Sequence, residues 1–377
     1  MDATKRLSSI RTFMTDNALS MCIITDASNQ YYISGFKALI YSRPIFLTIG
    51  SDQTSLVIPS LEENHASEQA EIDNLYIYFE HPERADEGIS YLEHLTTIIS
   101  TLEKGSTLGI EFSSMPTGLS NYLTNKGFKL FNISDKIKEM RYIKDEQELD
   151  LLIKSGELTS YALTESLKTV KEGMSEIELD AIGEKAFLTK LSVEHPDATV
   201  HGFAMSPSGI LRTNMPHVFS STRKFEAHEI VIHSRQVGLY DYHAECERTF
   251  FIGQPTKEQR KAFTAMYESQ KACLEFIKPG VTAKEVDKIG RDILTKAGYA
   301  EYAIHRIGHG IGIGCHEEPY LRFDSDLVLE EGMVFSVEPG IYIPGIGGFR
   351  HSDTVILTKD GSQLITEYPR ELEHLIF

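Results

Sequence analysis

The 377-residue chain lacks any apolar run long enough to cross a bilayer: segments such as 21–24 and 230–232 stop after a few residues, where a spanning helix takes about 20. It also lacks a basic excess. Its 37 Lys and Arg face 55 Asp and Glu, and a net charge of −18 works against a partner built on a phosphate backbone. Four dispersed cysteines (Cys22, Cys246, Cys273 and Cys315) give neither a CxxC pair nor a disulfide framework, so reduced thiols are expected. Residues 1–5 open a polar amphipathic stretch, unlike the apolar core of a signal peptide. These absences lead us to expect a cytoplasmic protein with no nucleic-acid and no membrane partner. What is present is the balance of a globular protein, 41% hydrophobic against 24% charged, at a length that favours two domains.

The first ~140 residues alternate short strand-like runs with helical stretches, the pattern of an α/β layer domain. Runs at 20–25, 45–49, 55–58, 75–79 and 107–112 read as strands, and 61–70 and 86–103 as helices. A long helical stretch starts near 141 and runs to 170, which places the boundary between domains 1–143 and 144–377. No Pro-, Gly- or Ser-rich linker marks it.

The second domain contains an internal repeat. Lys171 to Gly183 returns as Lys278 to Gly290, with six of thirteen positions identical. Both copies carry a helix-start signature: Ser175 precedes Glu178, and Thr282 precedes Glu285, by three residues. At that spacing the hydroxyl and the carboxylate each satisfy a backbone N–H of the first turn. Matched glycines on both sides of the cap argue against chance, so two similar halves are expected, each with helices preceding strands. Strand pairs are expected at 229–234 with 242–251, and at 332–343 with 349–358. Residues two apart on a strand share a face, which groups Glu245 with Glu247, and Ser336 with Glu338.

Carboxylates in strand interiors oppose strand propensity and are costly to bury alone. Glu245, Glu247 and Glu338 therefore point to a cation-binding cavity, with a solvated sheet face as the plainer alternative. Close by in sequence character are His217 after Met215-Pro216, and Gly308-His309-Gly310-Ile311-Gly312 followed by His316-Glu317. A histidine between glycines suggests close backbone approach to something bound.

Together with Gly332-Met333-Val334-Phe335-Ser336-Val337-Glu338-Pro339-Gly340, these segments resemble the creatinase, prolidase, aminopeptidase P and methionine aminopeptidase family. The resemblance implies an α/β N-terminal domain and an α+β "pita-bread" domain of two pseudo-symmetric halves. It also implies a homodimer in which Arg43, beyond Ser34-Gly35-Phe36, reaches the partner's site. The metallopeptidases of the family hold two divalent metals with two Asp, one His and two Glu. Here those positions fall on Ser234, Glu245, His309, Glu338 and Ser352, so two carboxylates are replaced by hydroxyls.

Similarity is closer to creatinase, which cleaves a C–N bond without metal. Its catalytic histidine falls on His217, and its guanidinium-binding glutamates on Glu247 and Glu338. A carboxylate-binding arginine between His316 and Glu338 has only Arg322 as a match, which does not support creatine as substrate. The expectation is a hydrolase of a C–N bond in a small amidino, guanidino or dipeptide-like molecule. His217, Glu247 and Glu338 are its catalytic residues, and Arg43, His309, His316 and Glu245 bind substrate. No cofactor is expected; the alternative is one divalent metal (Mn, Co or Zn) on His309, Glu338 and Glu245. The alternatives to this activity are a metal-dependent Xaa-Pro dipeptidase with a degenerate site and a non-catalytic binding module. His217 is assigned proton transfer because imidazole titrates near neutrality.

Overall fold

The structure, a computed structural model, describes residues 3–88 and 90–377. The chain divides into two compact units, Met1–Met140 and Arg141–Phe377.

The first unit is a six-stranded mixed sheet of β1 (Leu19–Ile24), β2 (Phe46–Ile49), β3 (Thr54–Pro59), β4 (Asn74–Tyr78), β5 (Thr107–Ile110) and β6 (Lys129–Asn132), in the order β4-β3-β2-β1-β5-β6. With it go α1 (Ala3–Asp16), α2 (Ala27–Ser34), α3 (Glu63–Gln69), α4 (Tyr91–Ile99), α5 (Thr117–Asn125) and α6 (Ser134–Met140). The five expected strands form. β6 was not expected, because Lys129 and Asn132 break its apolar alternation. The helix expected over 86–103 is shorter, since Ser90 caps α4 by accepting from Leu92 N–H. Arg43 lies in the exposed connection before β2 and pairs with Glu80 at 2.6 Å.

The second unit starts with α7 (Glu146–Leu167) and α8 (Glu176–Glu194), followed by β7 (Val200–Met205), α9 (Gly209–Thr213), β8 (Glu229–Leu239) and β9 (Tyr242–Ile252). A second helix pair, α10 (Lys257–Phe276) and α11 (Ala283–Lys296), precedes β10 (Gly308–Gly310), β11 (Glu317–Leu321), β12 (Val334–Val337), β13 (Gly340–Ile343), β14 (Gly347–Arg350), β15 (Ser352–Thr358) and β16 (Gly361–Leu364). The helical stretch expected from 141 begins only at Glu146, where Asp145 and Glu148 form a capping box.

An antiparallel sheet runs β11-β10-β12-β15-β9-β8-β7, with β16 on β15. The expected pairing of 332–343 with 349–358 is more divided. β12 pairs with β15 in the main sheet, while β13 and β14 form a separate hairpin. Gly340, just past Glu338 and Pro339, starts that departure.

The repeat is structural. Ser175 with Glu178 and Thr282 with Glu285 close capping boxes at the starts of α8 and α11. Gly183 lies against Ser166 of α7, and Gly290 against Ser269 of α10; a Cβ at either position would fall within 3.0 Å of that serine oxygen. In each half the glycine lets the second helix press against a serine of the first.

Candidate active site

Strand register assembles the site. β8 and β9 place Ser234 opposite Glu247 and Gln236 opposite Glu245, and β15 brings Ser352 opposite Glu247. Farther along the sheet, His309 of β10 faces Ser336 of β12. These side chains line one face, while His233, Arg235, Cys246, Arg248, His351 and Asp353 occupy the alternate positions and point the other way.

Glu245 is buried and held on both oxygens: Ser336 Oγ donates to Oε1 at 3.1 Å, and Gln236 Nε2 donates to Oε2. Ser336 and Ser352 share a hydroxyl contact of 2.6 Å. Glu247 is gripped by Arg350, whose Nε and Nη2 donate to its two oxygens at 2.5 and 2.7 Å. A further Arg350 nitrogen donates to Tyr342 OH at 2.9 Å, and Glu338 Oε2 lies 3.8 Å from Arg350 Nε. Tyr342 OH in turn meets His305 Nε2 at 3.0 Å.

His309 decides what the site can accept. Its Nδ1 faces the Gly310 carbonyl at 2.9 Å and must donate to it, which leaves Nε2 with a lone pair. That Nε2 is buried with no hydrogen-bond partner and lies 3.5 Å from Glu338 Oε1. The His316 ring stacks on His309 at 3.7 Å, with its Nε2 4.0 Å from Glu245 Oε2. Burial drives His309 down to about 4. Burial, then the neighbouring Glu245, pushes the Glu338 carboxyl well above its ordinary range.

The cavity over this face has a volume of about 410 Å³. Glu245, Glu338, Arg350, His316 and Gln236 form its polar end, and Phe203, Phe219, Met205 and Val218 its apolar wall. His217 lines this cavity and also a second, wider hollow that shares His316, Glu338 and Arg350.

Residues 150–359 match metallopeptidase family M24, and residues 6–143 match the creatinase/prolidase N-terminal domain. The chain belongs to metallopeptidase family M24. A Xaa-Pro dipeptidase of Pyrococcus horikoshii is 34% identical to this M24 chain, with 98% of each covered. The crystal structure of the prolidase from Pyrococcus horikoshii OT3 superposes with a TM-score of 0.86 at 32% identity, over 98% of this chain and 99% of that one. A Xaa-Pro dipeptidase from Bacillus anthracis gives a TM-score of 0.87 at 28% identity, with both chains covered completely. The expected architecture, an α/β N-terminal domain before a two-half pita-bread domain, is that of these relatives.

Within this M24 chain the structure brings together Glu245, Glu247, Glu338, His309, His316 and His217. It does not leave Glu247 free. The expected cluster of three uncompensated carboxylates omitted Arg350, which neutralises one of them inside the wall. Sequence reasoning missed Arg350, Gln236 and Tyr342. Arg350 had a readable signal: strand parity that turns His351 away from the site turns its neighbour toward it.

The ligand atoms of Glu245, His309 and His316 lie within 4.8 Å of one another, a donor set suited to one divalent ion. The partnerless His309 Nε2 supports that fit. His316 joins Glu245 and His309 in that set, and Glu338 Oε1 also lies 3.5 Å from His309 Nε2. Among the described residues no helix is long and apolar enough to cross a membrane.

Proposed function

We propose that this M24 hydrolase cleaves the C–N bond of a dipeptide-like substrate of the Xaa-Pro class. One observation carries this reading over an amidino or guanidino substrate. Glu247, the carboxylate that was to grip a substrate guanidinium, is already gripped by the chain's own Arg350. The reading draws further support from whole-length similarity to proteins named Xaa-Pro dipeptidases. In it, His217 transfers the proton to the departing nitrogen, while Glu338 faces the substrate amine. Arg350 fixes Glu247 and orients Tyr342.

The same reading assigns one divalent metal, not two, to this centre. Ser234 and Ser352 offer hydroxyls where paired ions need bridging carboxylates, and Glu247 is spent on Arg350. Glu245, His309 and His316 would hold the single ion, which supplies Lewis acidity toward a substrate oxygen. The protein is further proposed to be a cytoplasmic homodimer, with Arg43 offered to the partner's cavity as the family resemblance implies.

The test is hydrolysis of Xaa-Pro dipeptides and of small guanidino compounds by one preparation, titrated with Mn²⁺, Co²⁺ or Zn²⁺ after chelation. Turnover of the dipeptides, saturating at one metal per chain, is expected. His217→Ala should lower kcat by about 10²–10⁴-fold with KM little changed. Turnover confined to guanidino compounds, or two metals per chain, would overturn the reading.

A further inference from the structure

The segment carrying His217 is held by a residue far from the cavity in sequence. Glu176 opens α8, and its carboxylate is completely buried. Its Oε1 accepts from Ser208 N–H at 2.8 Å, Ser208 Oγ at 2.7 Å and Arg212 Nε at 3.0 Å. Its Oε2 accepts from Arg212 Nη2, Ser221 N–H and Ser221 Oγ at 2.8, 2.8 and 2.9 Å. A carboxylate has about four lone-pair sites, so six donors saturate it. Burial alone would raise its pKa; the bonds from Arg212, Ser208 and Ser221 reverse that and hold it below its ordinary value.

The two ends of this grip lie on either side of His217. Ser208 and Arg212 belong to the chain entering the loop, and Ser221 to the chain leaving it. Arg212 Nη2 also donates to the Phe219 carbonyl at 2.8 Å, so the same guanidinium reaches the loop's far limb. Between the anchors, His217 and Phe219 are exposed, Phe219 meeting the Phe203 ring edge-on at 6.2 Å. Thr213 Oγ1 accepts from Gly348 N–H at 3.1 Å, Ser220 Oγ from Ser206 N–H at 2.6 Å, and the Pro216 carbonyl from Arg350 at 3.4 Å, but the six bonds that tie the entering limb to the leaving limb converge on one carboxylate.

We propose that Glu176 is a positioning residue for the reaction: its carboxylate closes residues 208–221 into a fixed loop that presents His217 to the cavity. This rests on the assignment of proton transfer to His217. Displacing a proton-transfer group by about 1 Å costs on the order of 10²-fold in rate while leaving ground-state binding less affected. Glu176 thus acts on kcat through His217, without touching substrate.

The experiment is a double-mutant cycle on the full chain, Glu176→Gln and His217→Ala, assayed on a Xaa-Pro dipeptide with thermal unfolding recorded for each variant. Glu176→Gln keeps the shape but loses the charge-assisted bonds to Arg212; a fall in kcat of about 10–100-fold with KM within about threefold is expected. In the His217→Ala background the same change should cost nothing further. Multiplying effects in the double variant, or unchanged kcat in a folded Glu176→Gln chain, would overturn the proposal. Ser221→Ala removes a single donor and stands in where Glu176→Gln fails to fold; a severalfold loss of kcat, again absent beside His217→Ala, is expected. Hydrogen exchange over 213–220 gives a readout independent of the substrate. Protection lost in Glu176→Gln supports the closed loop even where the dipeptidase reading fails, and protection unchanged refutes it.

Discussion

The sheet strands β9 and β15, with Arg350 at the end of β14 beside them, bury an arginine–carboxylate pair on each face, and the two pairs are completed differently. On the helix-covered face Arg248 Nη2 meets Asp353 Oδ1 at 2.9 Å. Its other N–H groups go to the carbonyls of Glu247, Ser352, Tyr368 and Pro369, so all five donors are used. Asp353 also accepts from Arg370, Gln270 and Thr366. On the cavity face Arg350 spends its donors on Glu247, Tyr342 and, at 3.4 Å, the Pro216 carbonyl. A side of that guanidinium remains toward Glu338 and the cavity. A closed network specifies a structure; one left open toward a cavity can respond to a ligand.

The largest expected effect separates the two faces by stability. Removing one partner of a buried ion pair leaves the other uncompensated, at a cost of about 3–5 kcal/mol. Asp353→Ala should lose that much in denaturant unfolding, because Arg248 has no route to water. Arg350→Met should lose less, about 1–3 kcal/mol, because Glu247 beside a cavity can take up water or a proton. Its activity should nevertheless fall below that of Asp353→Ala measured per folded molecule. Equal stability losses, or the reverse order of activities, would break the comparison.

Much of this arrangement was legible. The capping boxes at Ser175 and Thr282 were readable because hydroxyl and carboxylate sit three apart, a local signal that needs no tertiary knowledge. Strand parity placed Glu245 with Glu247, and Ser336 with Glu338. The partner that Glu247 takes was not legible, because it depends on which strand lies beside which. Sequence order pointed to a simple pairing of 332–343 with 349–358, and the structure instead splits a hairpin out of that stretch. That hairpin ends at Arg350 and delivers its side chain to the Glu247 of a different half. The loop anchored on Glu176 was hidden for the same reason: its donors lie 32 to 45 residues away.

A second way to sharpen the contrast uses pH on the closed face alone. His351 is fully buried, its ring edge against Phe263, with Nδ1 accepting from Thr249 N–H and Nε2 donating to the Arg370 carbonyl. Burial, aided by Arg248, lowers it to about 3. An unfolded histidine titrates near about 6.5, so the folded state favours the neutral ring. The contribution is therefore complete above about pH 6.5 and is lost as pH falls toward 3, at up to about 1.4 kcal/mol per pH unit. Unfolding free energies at pH 7, 6, 5 and 4 should fall less steeply for His351→Gln than for the parent. Parallel slopes would mean that this face admits a proton, and the description of it as closed would fail.

The smallest effect concerns the hydroxyls of the cavity face. Ser352 Oγ meets Ser336 Oγ at 2.6 Å, and Ser336 Oγ donates to Glu245 Oε1 at 3.1 Å. Ser352 is thus tied to Glu245 through Ser336, and its own hydroxyl also helps to lower the Glu245 carboxyl. Deleting one neutral hydrogen bond typically costs about 0.5–1.5 kcal/mol, and Glu245 keeps its bond from Gln236 when Ser352 goes. Ser352→Ala should thus lose about 1 kcal/mol and change kcat by no more than about threefold. Ser336→Ala, which takes a donor from Glu245 itself, should cost more in activity than in stability. Metal titration of Ser352→Ala should still saturate at one ion per chain, since the proposed donors Glu245, His309 and His316 are untouched. If Ser352→Ala instead abolishes metal uptake while its stability is retained, then that hydroxyl is part of the donor set. The cavity face would then hold its ion through the positions the family uses, and the one-metal site would have to be redrawn around Ser352.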